Sequence, residues 1–275
     1  MAYKRILTVQ DISCLGQCSM TVALPILSAC GVETCVLPSA VLSTHTGGFG
    51  KPAVRDLTED IPAICAHWRS RGITFDAIYT GYLGSPRQIG LVEEIFDSLL
   101  APGGLAIVDP AFADHGKLYA GFDEAYVQAM KGLCVRADVV IPNVTEICML
   151  TGLPYGEEPG TERTEALLRA MKALGCGSVV LTGVGDPGMT GTAVLTEGEI
   201  YRHSHEKIAR SFHGTGDIFA SALVGHLMRG SSLPEAAAAA AEFTKRCIQN
   251  TVEDPAHWYG VKFETALPEL MENFR

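Results

Sequence analysis

The residues best suited to chemistry form one short segment, Gly214-Thr215-Gly216-Asp217, directly before the apolar stretch Ile218–Met228. Two glycines let an anion approach the main chain without a Cβ clash, and the first N–H groups of a helix attract negative charge. Asp217 falls in the first turn of that predicted helix, where a carboxylate can accept the proton of a hydroxyl attacking a phosphate. The segment predicts a phosphate site with a general base. Taken alone, a glycine-rich turn with Asp217 beside the helix dipole explains it about equally well.

Polar or glycine residues also follow the predicted strands, at the points where buried strands should end. These segments are Gln10–Ser13, Thr80–Tyr82, Asp109–Pro110, Pro142–Glu146 and Thr182–Gly183. Asn143 and Glu146 match a helix capping box, which is the favoured interpretation of that pair in isolation. Because ligands of parallel α/β sheets bind at the carboxyl ends of the strands, the convergence of these segments favours a binding site.

Short apolar runs alternate with helical patterns along the chain and predict an α/β fold with a mostly parallel sheet, organised as one domain over 1–275. The predicted strands are Lys4–Gln10, Glu33–Leu42, Phe75–Thr80, Leu105–Val108, Val139–Ile141 and Ser178–Leu181. The predicted helices include one from about Ser19 to Cys30, one starting at Ser85-Pro86, and Glu162–Leu174. Thr192–Thr196 and Glu199–Arg202 flank a Glu-Gly turn and predict an antiparallel hairpin.

The composition and net charge of the chain indicate which partners and which compartment to expect. Hydrophobic residues make up 47% of the chain, and 31 acidic against 21 basic residues give a net charge of −10. This balance disfavours nucleic acid and anionic membrane surfaces as partners, because both require a basic surface. No secretion signal or membrane span is evident, and nine cysteines without a CxxC pair are typical of free thiols in a reducing cytoplasm.

Competing motifs are weak. The chain has no G-x-x-x-x-G-K-[ST] sequence, so a P-loop is excluded. Gly183–Gly188 matches G-x-G-x-x-G, but Pro187 and the following β-like stretch leave no helix to bind a pyrophosphate. His203 and His205 could share one face of a strand, and without a third ligand a solvated strand is the favoured interpretation.

Four segments in order along the chain resemble the pyridoxal kinase branch of the ribokinase-like superfamily. They are Leu42–Gly47 (LSTHTG), Thr80–Ser85 (TGYLGS), Pro142–Glu146 (PNVTE) and Gly214–Asp217 (GTGD). The last segment is typical of the whole superfamily, whereas the His-Thr-Gly and Gly-Tyr-Leu-Gly segments point to pyridoxal kinases. The resemblance implies a three-layer α/β/α sandwich with a central, mostly parallel sheet. It also implies ATP-dependent phosphorylation of the 5′-hydroxymethyl group of a B6 vitamer.

The resemblance also implies roles for individual residues. Asp217 would be the catalytic base, and the backbone of Gly214, Thr215 and Gly216 would form the anion hole. The residues implied in nucleotide binding are Asp109, Asp114, Tyr119, Asn143, Thr182, Phe212, Gly214 and Gly216. Asp109 and Glu146 would hold Mg²⁺, Glu146 through water. The residues implied at the substrate ring are Asp11, Ser13, His45, Thr46 and Tyr82.

Several properties stay open at this point. Several pyridoxal kinases have Gln-Ser where this chain has Gln10-Asp11, so either Asp11 or Ser13 could meet the ring nitrogen. The family often requires a monovalent cation such as K⁺ and is commonly homodimeric. One alternative is a hydroxymethylpyrimidine kinase of thiamin synthesis, although its glycine-rich opening is missing here. The other is a non-catalytic protein that binds B6 or nucleotide.

Overall fold

A computed structural model describes residues 3–156 and 160–272. The chain divides into two compact units. One, called the terminal unit below, comprises Met1–Ile61 and Ile208–Arg275, and the other, called the central unit, comprises Pro62–Lys207.

Strands and helices alternate along most of the described chain. The strands are β1 (Arg5–Ser13), β2 (Glu33–Leu42), β3 (Val54–Asp56), β4 (Phe75–Thr80), β5 (Leu100–Val108), β6 (Ala113–Asp114), β7 (Lys117–Leu118), β8 (Val139–Val140), β9 (Ser178–Thr182), β10 (Met189–Thr196) and β11 (Glu199–Glu206). The helices are α1 (Met20–Ala29), α2 (Ile61–Ser70), α3 (Pro86–Leu99), α4 (Glu124–Val135), α5 (Val144–Thr151), α6 (Thr161–Ala173), α7 (Thr215–Met228), α8 (Leu233–Gln249) and α9 (Leu267–Glu272). A 3₁₀ turn, Phe263–Thr265, precedes α9.

The terminal unit is built on a β1–α1–β2 crossover. β1 and β2 pair in parallel, and β3 pairs with β2 in the antiparallel sense. The register of β1 against β2 shifts between Gln10 and Ile12, so the ladder is irregular at Asp11. Such irregularities re-aim side chains at the ends of strands. The sequence predicted that β1 would end at Gln10; this was wrong by three residues, because the strand continues through Asp11 to Ser13.

The central unit carries the longer part of the parallel ladder. Its strand order is β4-β5-β8-β9-β10-β11, in which β4, β5, β8 and β9 pair in parallel. β10 and β11 close the sheet as the predicted antiparallel hairpin. A small separate hairpin, β6–β7, follows β5 in the chain. Because parallel strands point the same way, the segments that follow β4, β5, β8 and β9 leave the sheet at one edge.

Burial matches the sequence pattern. Ile6, Leu7 and Val9 of β1 are fully buried, as are Ile78 and Tyr79 of β4, which is expected for strands covered on both faces. All nine cysteines are free thiols. Within the described ranges, no helix combines the length and apolar character needed to span a bilayer.

Candidate active site

The Gly214–Asp217 turn opens helix α7 as predicted. Gly214 is the N-cap, with φ 78° and ψ 1°, a left-handed conformation that glycine adopts without strain. A Cβ at this position would collide with the carbonyl oxygen of Gln17, so the neighbouring chain passes directly against the turn. Asp217 lies in the first turn of α7. The turn therefore presents the unpaired N–H groups of a helix start beside a carboxylate.

Asp217 is partly buried, and its surroundings tune its acidity. Burial raises its pKa to about 7, and the nearby Asp11 carboxylate adds to the rise, while a hydrogen bond from the backbone N–H of Ser19 opposes it. The pKa of a general base is best placed near the working pH, where the base form is populated and still accepts a proton. Asp217 meets this condition at neutral pH.

Asp11 and Ser13 form a small buried network in the terminal unit. Asp11 is 3% exposed, and the Ser13 hydroxyl donates a 3.0 Å hydrogen bond to its Oδ2. A second hydroxyl, that of Ser19, lies near the same carboxylate. Burial raises the pKa of Asp11, and these hydroxyls oppose the rise. The Asp11 carboxylate is thus already hydrogen-bonded within the chain.

His45 is held by the chain through both ring nitrogens. Its Nδ1 accepts the N–H of Gly47 at 3.1 Å, and its Nε2 lies 2.7 Å from the carbonyl oxygen of Tyr259. Since a carbonyl only accepts, the proton belongs on Nε2. The ring packs edge-on against Phe49, with centroids 4.9 Å apart, and lies 5.2 Å from the ring of His213. Thr46, beside it, is exposed.

A C-terminal segment, for which sequence reasoning found no signal, packs against this part of the chain. Gln17 donates to both carboxylate oxygens of Glu264 at 3.0 and 2.9 Å, and its Oε1 lies 2.7 Å from Nε2 of His257. Trp258 packs on Phe49 at 4.6 Å and touches the backbone at Gly48, where a Cβ would come within 2.7 Å of its ring. We call this arrangement of Gln17 with residues 257–264 the C-terminal clamp.

In the central unit, four predicted site residues follow neighbouring parallel strands. Tyr82 comes after β4, Asp109 after β5, Asn143 after β8, and Thr182 ends β9. Thr182 and Asn143 form an isolated parallel bridge, and the N–H of Asp109 donates to the carbonyl of Thr80 at 3.0 Å. The sheet therefore brings these four residues to one edge, as the strand-end pattern predicted.

Tyr82 stands on a row of aromatic rings. Its ring stacks on Phe122 with centroids 5.5 Å apart, and Phe122 stacks on Tyr126 at 3.8 Å. Tyr126 is anchored in turn, because its hydroxyl donates to the carbonyl of Leu83 at 2.7 Å. Tyr82 is itself half-buried, so the row fixes the orientation of a ring suited to stacking on an aromatic ligand.

Asn143 and Glu146 form the expected capping box at the start of α5. Asn143 Oδ1 accepts the N–H of Glu146, and Glu146 Oε2 accepts the N–H of Asn143, both at 2.9 Å. The other oxygen of Glu146 accepts N–H groups from Phe112, at 2.9 Å, and Ala113, at 3.5 Å. Glu146 is 2% exposed, and burial raises its pKa to about 7 against the effect of these hydrogen bonds. The capping interpretation is confirmed, and Glu146 also ties the chain after β5 to α5.

The remaining predicted residues differ in exposure. Asp114 lies on the β6–β7 hairpin, exposed, and accepts the N–H of His115 at 2.8 Å. Tyr119 is 41% exposed just after that hairpin. Phe212, in the terminal unit, is 9% exposed and lies under the guanidinium of Arg210 at 4.6 Å. The two hairpin residues are therefore exposed to solvent, whereas the Phe212 side chain is buried.

Two weaker motifs occupy the positions that the sequence indicated. Gly183–Gly188 is followed by strand β10 and not by a helix, so the interpretation of that motif as a chance match is confirmed. His203 and His205 lie on the same face of β11, with ring centroids 6.4 Å apart.

Comparisons with known proteins identify the family of the chain. The family described as phosphomethylpyrimidine kinase matches residues 24–260. A pyridoxine/pyridoxal/pyridoxamine kinase of Bordetella bronchiseptica is 29% identical over 90% of this chain and 89% of its own length. A Bacteroides thetaiotaomicron protein, assigned to the phosphomethylpyrimidine kinases and crystallised with pyridoxal, is 37% identical with a TM-score of 0.92; the match covers 98% of this chain and 96% of the other. Pyridoxal kinase of Lactobacillus plantarum is 33% identical with a TM-score of 0.91, covering 99% and 98%.

The fold and the site thus define a ribokinase-like kinase, with a mostly parallel central sheet flanked by helices. The chain belongs to the phosphomethylpyrimidine kinase family, whose model matches residues 24–260. The resemblance to pyridoxal kinases drawn from four short segments is confirmed.

Proposed function

We propose that this protein transfers the γ-phosphoryl group of ATP to the 5′-hydroxymethyl group of pyridoxal, pyridoxamine or pyridoxine. The observation that carries the proposal is the partly buried Asp217 in the first turn of α7, with a pKa of about 7 beside the Gly214–Gly216 backbone. A base and an anion-binding turn at one helix start are what phosphoryl transfer to a hydroxyl needs. The pyridoxal and pyridoxine kinases among its relatives support the choice of acceptor.

In this mechanism Asp217 accepts the proton of the attacking hydroxyl. The N–H groups at the start of α7 face the charge that grows on the phosphoryl oxygens, and the helix dipole adds to their effect. Because these groups are fixed before the reaction, they stabilise the transition state without reorganising.

For the nucleotide we propose the residues at the β4–β9 edge and the adjoining hairpin, together with Phe212 and the α7 turn. Mg²⁺ would supply charge neutralisation on the phosphate oxygens. The side chains fit this ion, since Asp109 and Glu146 offer the carboxylate oxygens that Mg²⁺ prefers. Both oxygens of Glu146 already accept backbone N–H groups, which favours contact with the ion through water. We also propose that a monovalent cation such as K⁺ binds near the same phosphates.

For the vitamer ring we propose Tyr82 as the stacking partner, because its orientation is fixed by Phe122. His45 would contact the ring through its face, since both its nitrogens are engaged within the chain. Thr46 is the exposed hydroxyl of the same loop, and Asp11 or Ser13 would meet the ring nitrogen. We also propose that the chain is a single kinase domain that forms a homodimer in the cytoplasm; nine free thiols support the location.

The rival activity is phosphorylation of a hydroxymethylpyrimidine, which is suggested by the name phosphomethylpyrimidine kinase in the family description and in the description of the Bacteroides relative. Both reactions use a hydroxymethyl group on an aromatic ring, so the two substrates differ only in the identity of that ring and its substituents. Purified protein with MgATP should be offered pyridoxal, pyridoxamine, pyridoxine and hydroxymethylpyrimidine in a coupled ADP-release assay, with the 5′-phosphate identified by mass spectrometry. A vitamer should be turned over fastest. Faster turnover of the pyrimidine would replace the proposed substrate, and ATP binding without ADP release would favour a binding protein.

A further inference from the structure

Gly47 contacts two histidine rings of the terminal unit. Its N–H donates to Nδ1 of His45 at 3.1 Å. In addition, a Cβ built on Gly47 would lie 2.5, 2.6 and 2.8 Å from Cε1, Nδ1 and Nε2 of His213. Because these three distances are almost equal, the Cβ would sit over the face of the ring and not beside its edge. The backbone at Gly47 therefore packs on the face of the His213 imidazole.

This close approach explains why a glycine stands at position 47. Gly48 and Gly50 have φ values of 81° and 79°, in the left-handed region that favours glycine, whereas Gly47 does not have a positive φ. The conformation of the chain is thus not the reason for this glycine. The space above the ring is, since any side chain would have to push the ring or the loop aside.

His213 connects two parts of the candidate site. It directly precedes Gly214, the N-cap of α7 and the first residue of the anion-binding turn Gly214–Asp217. Its ring also lies 5.2 Å from the ring of His45, at an angle of 44°. Residues 43–53, called the acceptor loop below, link β2 to β3 and carry His45 and Thr46. The acceptor loop is therefore packed on the residue from which the anion-binding turn begins.

We propose that His213 is a positioning residue: the face of its ring seats Gly47, and this contact holds the acceptor loop in place beside the anion-binding turn. This inference rests on the proposed function, because it assigns His213 a part in the same reaction. Transfer requires the reacting atoms to lie about 3–3.5 Å apart, and a displacement of about 1 Å can slow a reaction a hundredfold. A loop that binds the acceptor therefore has to be fixed relative to the turn that binds the phosphate.

His213→Ala and His213→Phe separate the packing of the ring from folding. His213 is exposed, so neither substitution should lower Tm by more than about 2 °C. His213→Ala removes the ring and should lower kcat/KM for pyridoxal about tenfold, while the KM for MgATP stays within about twofold of wild type. His213→Phe keeps a flat ring under Gly47 and should retain at least about a third of the wild-type kcat/KM.

A second substitution tests the same contact from the loop. Gly47→Ala places a methyl group over the ring and should reproduce the defect of His213→Ala. In the His213→Ala background the methyl group no longer meets a ring, so Gly47→Ala should lower kcat/KM by less than about twofold further. The matched control is Gly90→Ala in α3, where a Cβ meets no atom within 4 Å; it should leave kcat/KM unchanged.

Wild-type kcat/KM in His213→Ala would overturn the inference, and so would a His213→Phe variant as impaired as His213→Ala. Losses from Gly47→Ala and His213→Ala that multiply fully would also overturn it. If Gly47→Ala does not fold, the two His213 variants carry the test alone. Asp217→Asn separates this failure from that of the proposed function. An inactive Asp217→Asn beside fully active His213 variants would refute only the role of His213, whereas an active Asp217→Asn would refute the mechanism itself.

Discussion

Replacing Asp217 with asparagine should stabilise the fold while it removes the base, and the stabilisation should grow with pH. The pKa of Asp217 in the folded state, about 7, lies above the ordinary value of 3.8. Ionisation of the wild-type carboxyl therefore destabilises the folded state. Stability from this group is fully present below about pH 4 and is lost as pH rises through about 7. An asparagine does not titrate and avoids this loss.

The magnitude follows from the size of the shift. A difference of about 3 pKa units corresponds to about 4 kcal/mol of destabilisation above pH 7. At pH 5 only about 1.6 kcal/mol of this is present, because the unfolded carboxyl is ionised while the folded one is protonated. The advantage of Asp217→Asn should therefore grow by about 2–3 kcal/mol between pH 5 and pH 8. For a chain of this size that is about 5 °C in Tm.

Thermal unfolding of wild type and Asp217→Asn, followed by calorimetry at pH 5, 6, 7 and 8, measures this difference directly. Glu146 also titrates at about pH 7, but it is present in both proteins and cancels in the comparison. A Tm difference that stays constant across the series would refute the raised pKa. A wild type more stable than the variant at pH 8 would refute it as well.

Three further predictions concern the neighbours of Asp217. Asp11→Asn removes a negative charge that raises the pKa of Asp217, so the acid limb of kcat/KM for pyridoxal should move to lower pH; an unmoved limb would contradict this coupling. Gln17→Ala removes the three hydrogen bonds that this side chain makes in the C-terminal clamp. The KM for pyridoxal should therefore rise several-fold, while the KM for MgATP stays constant. Equal changes in both KM values would contradict a role confined to the vitamer. Gly214→Ala places a Cβ against the Gln17 carbonyl, at a residue of positive φ. It should lower Tm by several degrees and abolish activity. A stable, active variant would contradict the close approach of the Gln17 backbone to this turn.

The sequence predicted the elements with clear boundaries. Glu33–Leu42 and Phe75–Thr80 are observed as predicted, because each is a mostly apolar run. Ser85-Pro86 begins α3 as expected, with the Ser85 hydroxyl accepting the N–H of Gln88. At the end of β1 the polar residues predicted a stop too early, because Asp11 and Ser13 satisfy each other inside the sheet.

Long-range backbone contacts explain what the sequence missed. The acceptor for His45 is the carbonyl of Tyr259, a group that every residue type carries, so residue identity gives no signal for it. Ser19 has a residue type typical of helix caps, and that expectation conceals its positive φ and the lack of a side-chain capping hydrogen bond. The acidity of Asp217 depends in the same way on neighbours that come together only in the folded chain.

The central claim is that Asp217 is the base in phosphorylation of a B6 vitamer. The most direct measurement compares initial rates of ADP release from MgATP with pyridoxal for wild type, Asp217→Asn and Asp217→Glu at pH 7.5. We predict that Asp217→Asn loses about 10²–10⁴-fold in kcat with little change in KM, and that Asp217→Glu recovers part of the loss. An Asp217→Asn enzyme that retains most of its kcat would contradict the account.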